Sequence, residues 1–230
     1  MHHASRITHL IFGYFWRAFL WFRFQLFQKH KLNKPVLEWV AGKPLVILPQ
    51  VFNPNLFLTS EFMVQALNEM LVPADSRFLD MGTGSGVGAV FAAAFTPHVT
   101  AIDINPAAAR SARLNALLNQ VEDRVQVFEG DLFAPVAGQQ FDVILFNPPY
   151  YRGQPKNMLD KAFRAEDVVE RFAAALPQHL APTGHLLLLL STTTDEESFL
   201  RLFRQRGYTI TTAAQRHLPG ERITLYRVGF

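Results

Sequence analysis

Residues 78–90 read FLDMGTGSGVGAV, and this stretch decides the fold. It opens as a short apolar strand, passes through Gly82, Gly84 and Gly86 at alternate positions, and leaves in small apolar residues that suit a helix. Glycine lets a backbone take positive φ and come close to a ligand. The helix that follows offers free N–H groups and the positive end of its dipole. A tight strand-to-helix turn with no ligand is the plainer alternative, but four glycines within residues 82–88 exceed what a turn needs.

Outward from this loop the chain alternates strand and helix. Strands are expected at 46–48, 77–81, 99–103, 124–128, 141–146 and 184–190, and helices from Thr59 or Ser60 to Leu71 and at 86–95, 106–118, 165–180 and 195–206. A final pair of strands, 208–215 and 222–229, brackets Pro219-Gly220. Alternation with continuous apolar strands implies a parallel sheet covered on both faces. The expected fold is therefore a doubly wound, mostly parallel, seven-stranded α/β sheet of Rossmann-like type. Its last strand is antiparallel and an N-terminal helical extension precedes it.

The chain has 230 residues, 49% of them hydrophobic and 18% charged, enough for one α/β domain with a sizeable core. It has no cysteine, which excludes disulfides and thiolate metal sites, and no metal site is expected. The net charge of +3 is uneven. Residues 1–43 hold Arg6, Arg17, Arg23, Lys29, Lys31, Lys34 and Lys43 against one acid, Glu38, and the remainder has an acidic excess. The division expected is an aromatic, basic extension over 1–43 and a catalytic domain over 44–230. Within the extension, ITHLIFGYFWRAFLWFRFQLF (7–27) reads as a helix crowded with aromatic residues. Arg17 and Arg23 make a transmembrane span costly. A membrane surface, a second copy of the chain, or the body of the protein are the covers such a helix would seek. The expected location is cytoplasmic, with membrane association through this helix.

Two ligand readings compete at the glycine loop. Gly84, Gly86 and Ala89 match G-x-G-x-x-A, with Asp103 about 20 residues on, as in dinucleotide sites. Asp80, two residues before the first glycine, favours S-adenosylmethionine instead. A carboxylate there assists a cationic ligand and repels a pyrophosphate. Asp103 closes the next strand in VTAIDINP and can accept from both ribose hydroxyls, unless it serves as the N-cap of the helix at Pro106. Asp131 and Leu132, in EGDLF, can meet an adenine amino group and ring, or form an ordinary acidic turn. All three acids lie at carboxyl ends of parallel strands, where open α/β sheets bind ligands.

The fourth core strand ends at the same rim in Asn147-Pro148-Pro149-Tyr150. Proline has no N–H, so the chain leaves the sheet on a stiff path. The Asn147 side-chain oxygen and the Pro148 carbonyl are acceptors that can grip both hydrogens of a planar –NH₂, with Tyr150 over its face. Acceptors fixed in advance are a route to catalysis by positioning.

Residues 77–150 resemble class I S-adenosylmethionine-dependent methyltransferases. The Asn-Pro-Pro-Tyr, together with DMGTGSG and GDLF, is most similar to release-factor glutamine N5-methyltransferases and related enzymes acting on exocyclic amino groups. The resemblance implies catalytic roles for Asn147, Pro148 and Tyr150. It implies cofactor contacts from Asp80, Gly82, Gly84, Gly86, Asp103, Ile104, Asp131, Leu132 and Asn147. It implies methyl transfer to an amide or amino nitrogen, with a glutamine side chain of a protein as the leading acceptor. A nucleic-acid base, which is not favoured, a small molecule, or a role as a non-catalytic partner subunit are the other readings. The release-factor enzymes carry a helical domain ahead of the catalytic body, where this chain has about 43 residues.

Overall fold

The computed structural model describes residues 34–56, 58–218 and 220–230. The helix expected at 7–27 and Pro219 lie outside the described residues. The chain enters on a hairpin, β1 (Val36–Val40) and β2 (Lys43–Ile47), then α1 (Leu58–Ala66). The main alternation follows: β3 (Arg77–Met81), α2 (Val87–Ala92), β4 (His98–Asp103), α3 (Pro106–Leu118), β5 (Val125–Glu129) and β6 (Phe141–Phe146). A two-residue strand pair, β7 (Tyr151–Arg152) and β8 (Arg164–Ala165), precedes α4 (Val168–His179). The chain closes with β9 (Leu180–Ser191), α5 (Glu196–Arg204), β10 (Thr209–Leu218) and β11 (Glu221–Gly229).

Seven strands form one sheet in the order β10-β11-β9-β6-β3-β4-β5. Neighbours from β9 to β5 are parallel, and β11 runs antiparallel to both β9 and β10. The expected doubly wound sheet with a reversed last strand is what the chain forms. Its strand order reverses beside β3, between β4 and β6, so the carboxyl ends of these strands open onto a crevice. Alternate residues of each strand feed opposite cores. Phe78, Val143, Leu145, Leu187 and Leu189 pack under α1, α2 and α3. Leu79, Met81, Ile144, Phe146, Leu186, Leu188 and Leu190 pack under α4 and α5. The leucine run 186–190 is fully buried because both of its faces are covered.

The hairpin was not expected from the sequence. Ala41 and Gly42 both take positive φ, 44° and 83°, and turn the chain in two residues. The 43/44 boundary thus falls at the start of β2, and residues 36–40 pair with the body. Side chains of α3 hold β2 in place. Asn115 accepts from the Val46 N–H at 2.6 Å and donates to the Val46 and Ser85 carbonyls at 2.9 and 2.8 Å. Ser111 donates to the Val46 carbonyl at 2.6 Å, and Asn119 to Pro44 at 2.9 Å. Asn115 therefore ties the hairpin, α3 and the glycine loop together.

Helix α1 stops at Ala66 rather than Leu71. The Asn68 side chain accepts from the N–H groups of Met70 and Leu71 at 3.0 and 3.1 Å, a local turn that competes with helix. Among the described residues no helix is long and apolar enough to cross a membrane.

Candidate active site

A cavity of about 320 Å³ lies at the carboxyl ends of β3, β4, β5 and β6. Asp80 stands one residue before the end of β3 and is only 4% exposed. Its Oδ2 accepts from Thr83 Oγ1 at 2.5 Å and from the Ala89 N–H at 2.9 Å, so the glycine loop wraps around one carboxylate oxygen. Gly88 makes room for it, since a Cβ there would sit 2.7 Å from that oxygen. Burial pushes the Asp80 carboxyl up to about 6, with the Asp103 charge adding and the two hydrogen bonds opposing. An ionised Asp80 is thus an under-compensated negative charge on the cavity wall.

Gly82 and Gly84 line the cavity with positive φ, and a Cβ at Gly84 would meet nothing within 4 Å. The loop leaves a backbone cradle facing open space. Gly86 is different. It is not on the wall, and a Cβ there would lie 2.8 Å from Ala112 Cα. Close packing of α2 on α3 explains this glycine, not the ligand contact that the resemblance implies.

Asp103 ends β4. Its two oxygens accept one backbone N–H each, from Gly84 and Asn105, both at 2.8 Å. The N-cap of α3 is Asn105, whose side chain accepts from Ala107, so Asp103 has no capping duty. Burial raises the Asp103 carboxyl, with the N–H groups of Asn105, Gly84 and Ile104 opposing. Ile104, Asp131 and Leu132 are also on the wall. Asp131 is ion-paired through Oδ2 with Arg171 of α4, a partner that nothing local in EGDLF announces.

At the end of β6, Asn147 and Pro149 line the cavity. The Asn147 Oδ1 is buried and accepts no hydrogen bond. Such an acceptor is costly unless a ligand or water donor meets it. Pro148 is buried behind the wall and Tyr150 does not line the cavity. The Tyr150 hydroxyl is buried without a partner, and burial together with the Glu221 charge raises it well above the usual phenol range. The structure therefore brings Asp80, Gly82, Gly84, Asp103, Ile104, Asp131, Leu132 and Asn147 to one cavity, and leaves Gly86, Pro148 and Tyr150 off its wall.

Two further parts of the wall carry no local motif. Phe52, Ser60 and Met63 come from the approach to α1 and from α1 itself. Pro155, Met158, Lys161, Ala162 and 164–167 come from the connection between β7 and α4. Phe52 and Phe163 meet edge to face at 5.4 Å, closing these two parts over one end.

S-adenosylmethionine fits what this cavity offers. The ligand has a diol, a planar amine-bearing ring and a cationic end. The wall has a carboxylate free of capping duty, an apolar Ile104/Leu132 pair beside an acid, and a buried carboxylate lacking a counter-charge. Sheet order and site together define an S-adenosylmethionine-dependent methyltransferase of the Rossmann-like class. The chain belongs to the methyltransferase small domain family, which it matches over residues 45–216. It is 28% identical over 193 residues to a putative protein N5-glutamine methyltransferase of Methanocaldococcus jannaschii, covering 80% of this chain and 94% of that protein. It is 30% identical to a release factor glutamine methyltransferase of Geobacter sulfurreducens, covering 82% of this chain and 70% of that protein. The fold is similar to the T. thermophilus 16S rRNA N2 G1207 methyltransferase solved with AdoMet and guanosine. The TM-score is 0.65 at 20% identity, over 86% of this chain and 50% of that one. Family membership sets aside the dinucleotide reading of the glycine loop.

Proposed function

We propose that this chain methylates the side-chain amide nitrogen of a glutamine in a protein. The reading is carried by Asn147, which lines the cavity with its Oδ1 buried and partnerless, beside acids that suit S-adenosylmethionine. The names of the relatives above support the choice of glutamine.

When bound, the cofactor supplies a methyl group made electrophilic by its sulfonium. Asp103 would accept from the ribose diol, and Asp80 would meet the cationic end. Asp131 would take the adenine amine, and Ile104 and Leu132 would hold the ring. Asn147 Oδ1 accepts one N–H of the acceptor amide. An amide nitrogen is a poor nucleophile because its lone pair is delocalised into the carbonyl. An acceptor on its hydrogen pushes density back onto nitrogen and holds it in line for transfer. The methyl's bond to sulfur breaks as the N–C bond forms, and the methylated nitrogen gives its proton to water afterwards, so no strong base is needed. The prolines keep this geometry without reorganisation. The aromatic segment 7–27, which lies outside the described residues, is proposed to rest on a membrane surface or a second copy of the chain.

The test uses the full-length protein and methyl-labelled S-adenosylmethionine in a lysate, fractionated into protein, RNA and small molecules. A methylated glutamine amide releases labelled methylamine on acid hydrolysis of the protein fraction, and that release is the expected result. Label confined to RNA or to small molecules overturns the glutamine reading.

A further inference from the structure

The cavity wall is rich in acids, with Asp80, Asp103, Asp131, Glu166 and Asp167 all on it. Its cations are Lys161, Arg164 and Arg171. Arg171 is ion-paired with Asp131 and lies 3.8 Å from Asp167. Arg164 lies 3.8 Å from Asp160 and donates to the Arg152 carbonyl at 3.1 Å. Among the described residues, the Lys161 side chain has no hydrogen bond and no ion pair.

S-adenosylmethionine carries one anionic group, the carboxylate of its methionine part. Against so many acids that carboxylate is repelled unless a cation meets it. The cradle helix α2 has only six residues, and its Ala89 N–H is already given to Asp80. Lysine suits the task, with a point charge on a flexible stem and three donors. We propose that Lys161 takes the carboxylate of the cofactor's methionine part and so draws the 155–168 segment onto the bound cofactor. This rests on the cofactor reading above.

The position of Lys161 gives the contact a second consequence. It sits in a short 3-10 turn, Asp160–Ala162, whose Asp160 is pinned by the Lys156 N–H at 2.9 Å. The chain then runs directly into β8, which pairs with β7 through Tyr151 N–H to Phe163 at 2.8 Å and Gly153 N–H to Ala165 at 3.1 Å. Strand β7 follows Asn147–Tyr150 without a break. A cofactor held by Lys161 therefore steadies the segment on which the acceptor site is mounted, and cofactor binding precedes productive acceptor binding.

The test compares two ligands on the full-length protein by calorimetry: S-adenosylmethionine, and 5′-methylthioadenosine, which lacks the amino-acid part. Lys161 is partly exposed, so Lys161→Met removes the charge without opening the core. The variant is expected to bind S-adenosylmethionine about fivefold or more weakly, and methylthioadenosine within about twofold of the wild type. Hydrogen exchange at Tyr151 and Gly153 slows on S-adenosylmethionine binding in the wild type and does not in the variant. Equal loss for both ligands, or loss for neither, overturns the assignment. So does unchanged cofactor affinity with a weakened acceptor, which would place Lys161 on the substrate instead. A wild type that binds neither ligand defeats the cofactor reading itself, a separate result.

Discussion

Replacing Asp80 by Asn separates what this residue does for folding from what it does for the ligand. The carboxyl is held near 6 in the folded chain against 3.8 for an unperturbed group, because burial disfavours its charge. A raised carboxyl is a cost to the folded state above its folded value, and the cost fades as pH falls towards the unfolded value. The difference corresponds to on the order of 3 kcal/mol at pH 7.5, roughly half of that at pH 5, and little below pH 4. Both hydrogen bonds to Asp80 end on Oδ2, so an Asn that puts its carbonyl oxygen there keeps the Thr83 and Ala89 contacts while losing the charge. The cofactor-free Asp80→Asn variant should therefore be more stable than the wild type at pH 7.5. The rise in melting temperature is about 2–4 °C per kcal/mol in a chain of this size. The advantage should shrink as the pH is lowered to 4. The same change removes the countercharge to a cationic ligand, and S-adenosylmethionine affinity should fall by about tenfold or more. Melting by scanning fluorimetry at pH 7.5, 5 and 4, with calorimetric titration at pH 7.5, reads both arms. A variant less stable at pH 7.5 with unchanged affinity would refute the reasoning, because Asp80 would then be a structural anchor alone.

Asp103→Ala should weaken S-adenosylmethionine binding by roughly 1.5–3 kcal/mol, the range for hydrogen bonds to a charged group, and calorimetry showing no change would remove the ribose assignment. His185 is buried with Nε2 3.0 Å from the Leu71 carbonyl. Burial and the Arg227 charge press it down to about 4, with the Leu71 bond opposing. The unfolded chain takes this proton first, so the wild type loses on the order of 3 kcal/mol as pH falls from about 6.5 to 4. His185→Gln should flatten that limb in urea titrations. Asn115→Ala leaves the Val46 N–H and the Ser85 carbonyl without their Asn115 partners and should cost about 2–4 kcal/mol of unfolding free energy. A loss under 1 kcal/mol would mean that water replaces the amide.

Much of this fold is legible because its signals are local. Strand 77–81, helix 106–118 and strand 141–146 fall where apolar runs meet Gly82, Asn105-Pro106 and Asn147-Pro148. The acids are legible because a parallel sheet puts every strand's last residues on one rim. What escaped depends on partners distant in sequence. The β1–β2 hairpin turns on Ala41-Gly42 rather than a strong turn pair, and its anchor is Asn115, at a distance that no periodicity reports. The Arg171 partner of Asp131 comes from α4. Gly86 belongs to the same glycine series as Gly84, yet only the packing of α2 on α3 shows that it serves Ala112. Tyr150 sits in the motif beside Asn147, but the backbone after Pro149 carries it off the cavity wall, towards Glu221. Lys161 has no motif at all, and only the path of the chain from β7 to α4 brings it to the cavity wall.

Asn147 holds the reacting nitrogen and not the cofactor in the proposed reaction. The most direct test measures methyl transfer into protein glutamine, read as acid-released methylamine, for the wild type and Asn147→Ala, with S-adenosylmethionine affinity measured on the same samples. Turnover in the variant should fall on the order of 100-fold or more, with cofactor affinity within a few fold of the wild type. Near-normal turnover in the variant, or a loss that follows cofactor affinity step for step, would contradict it.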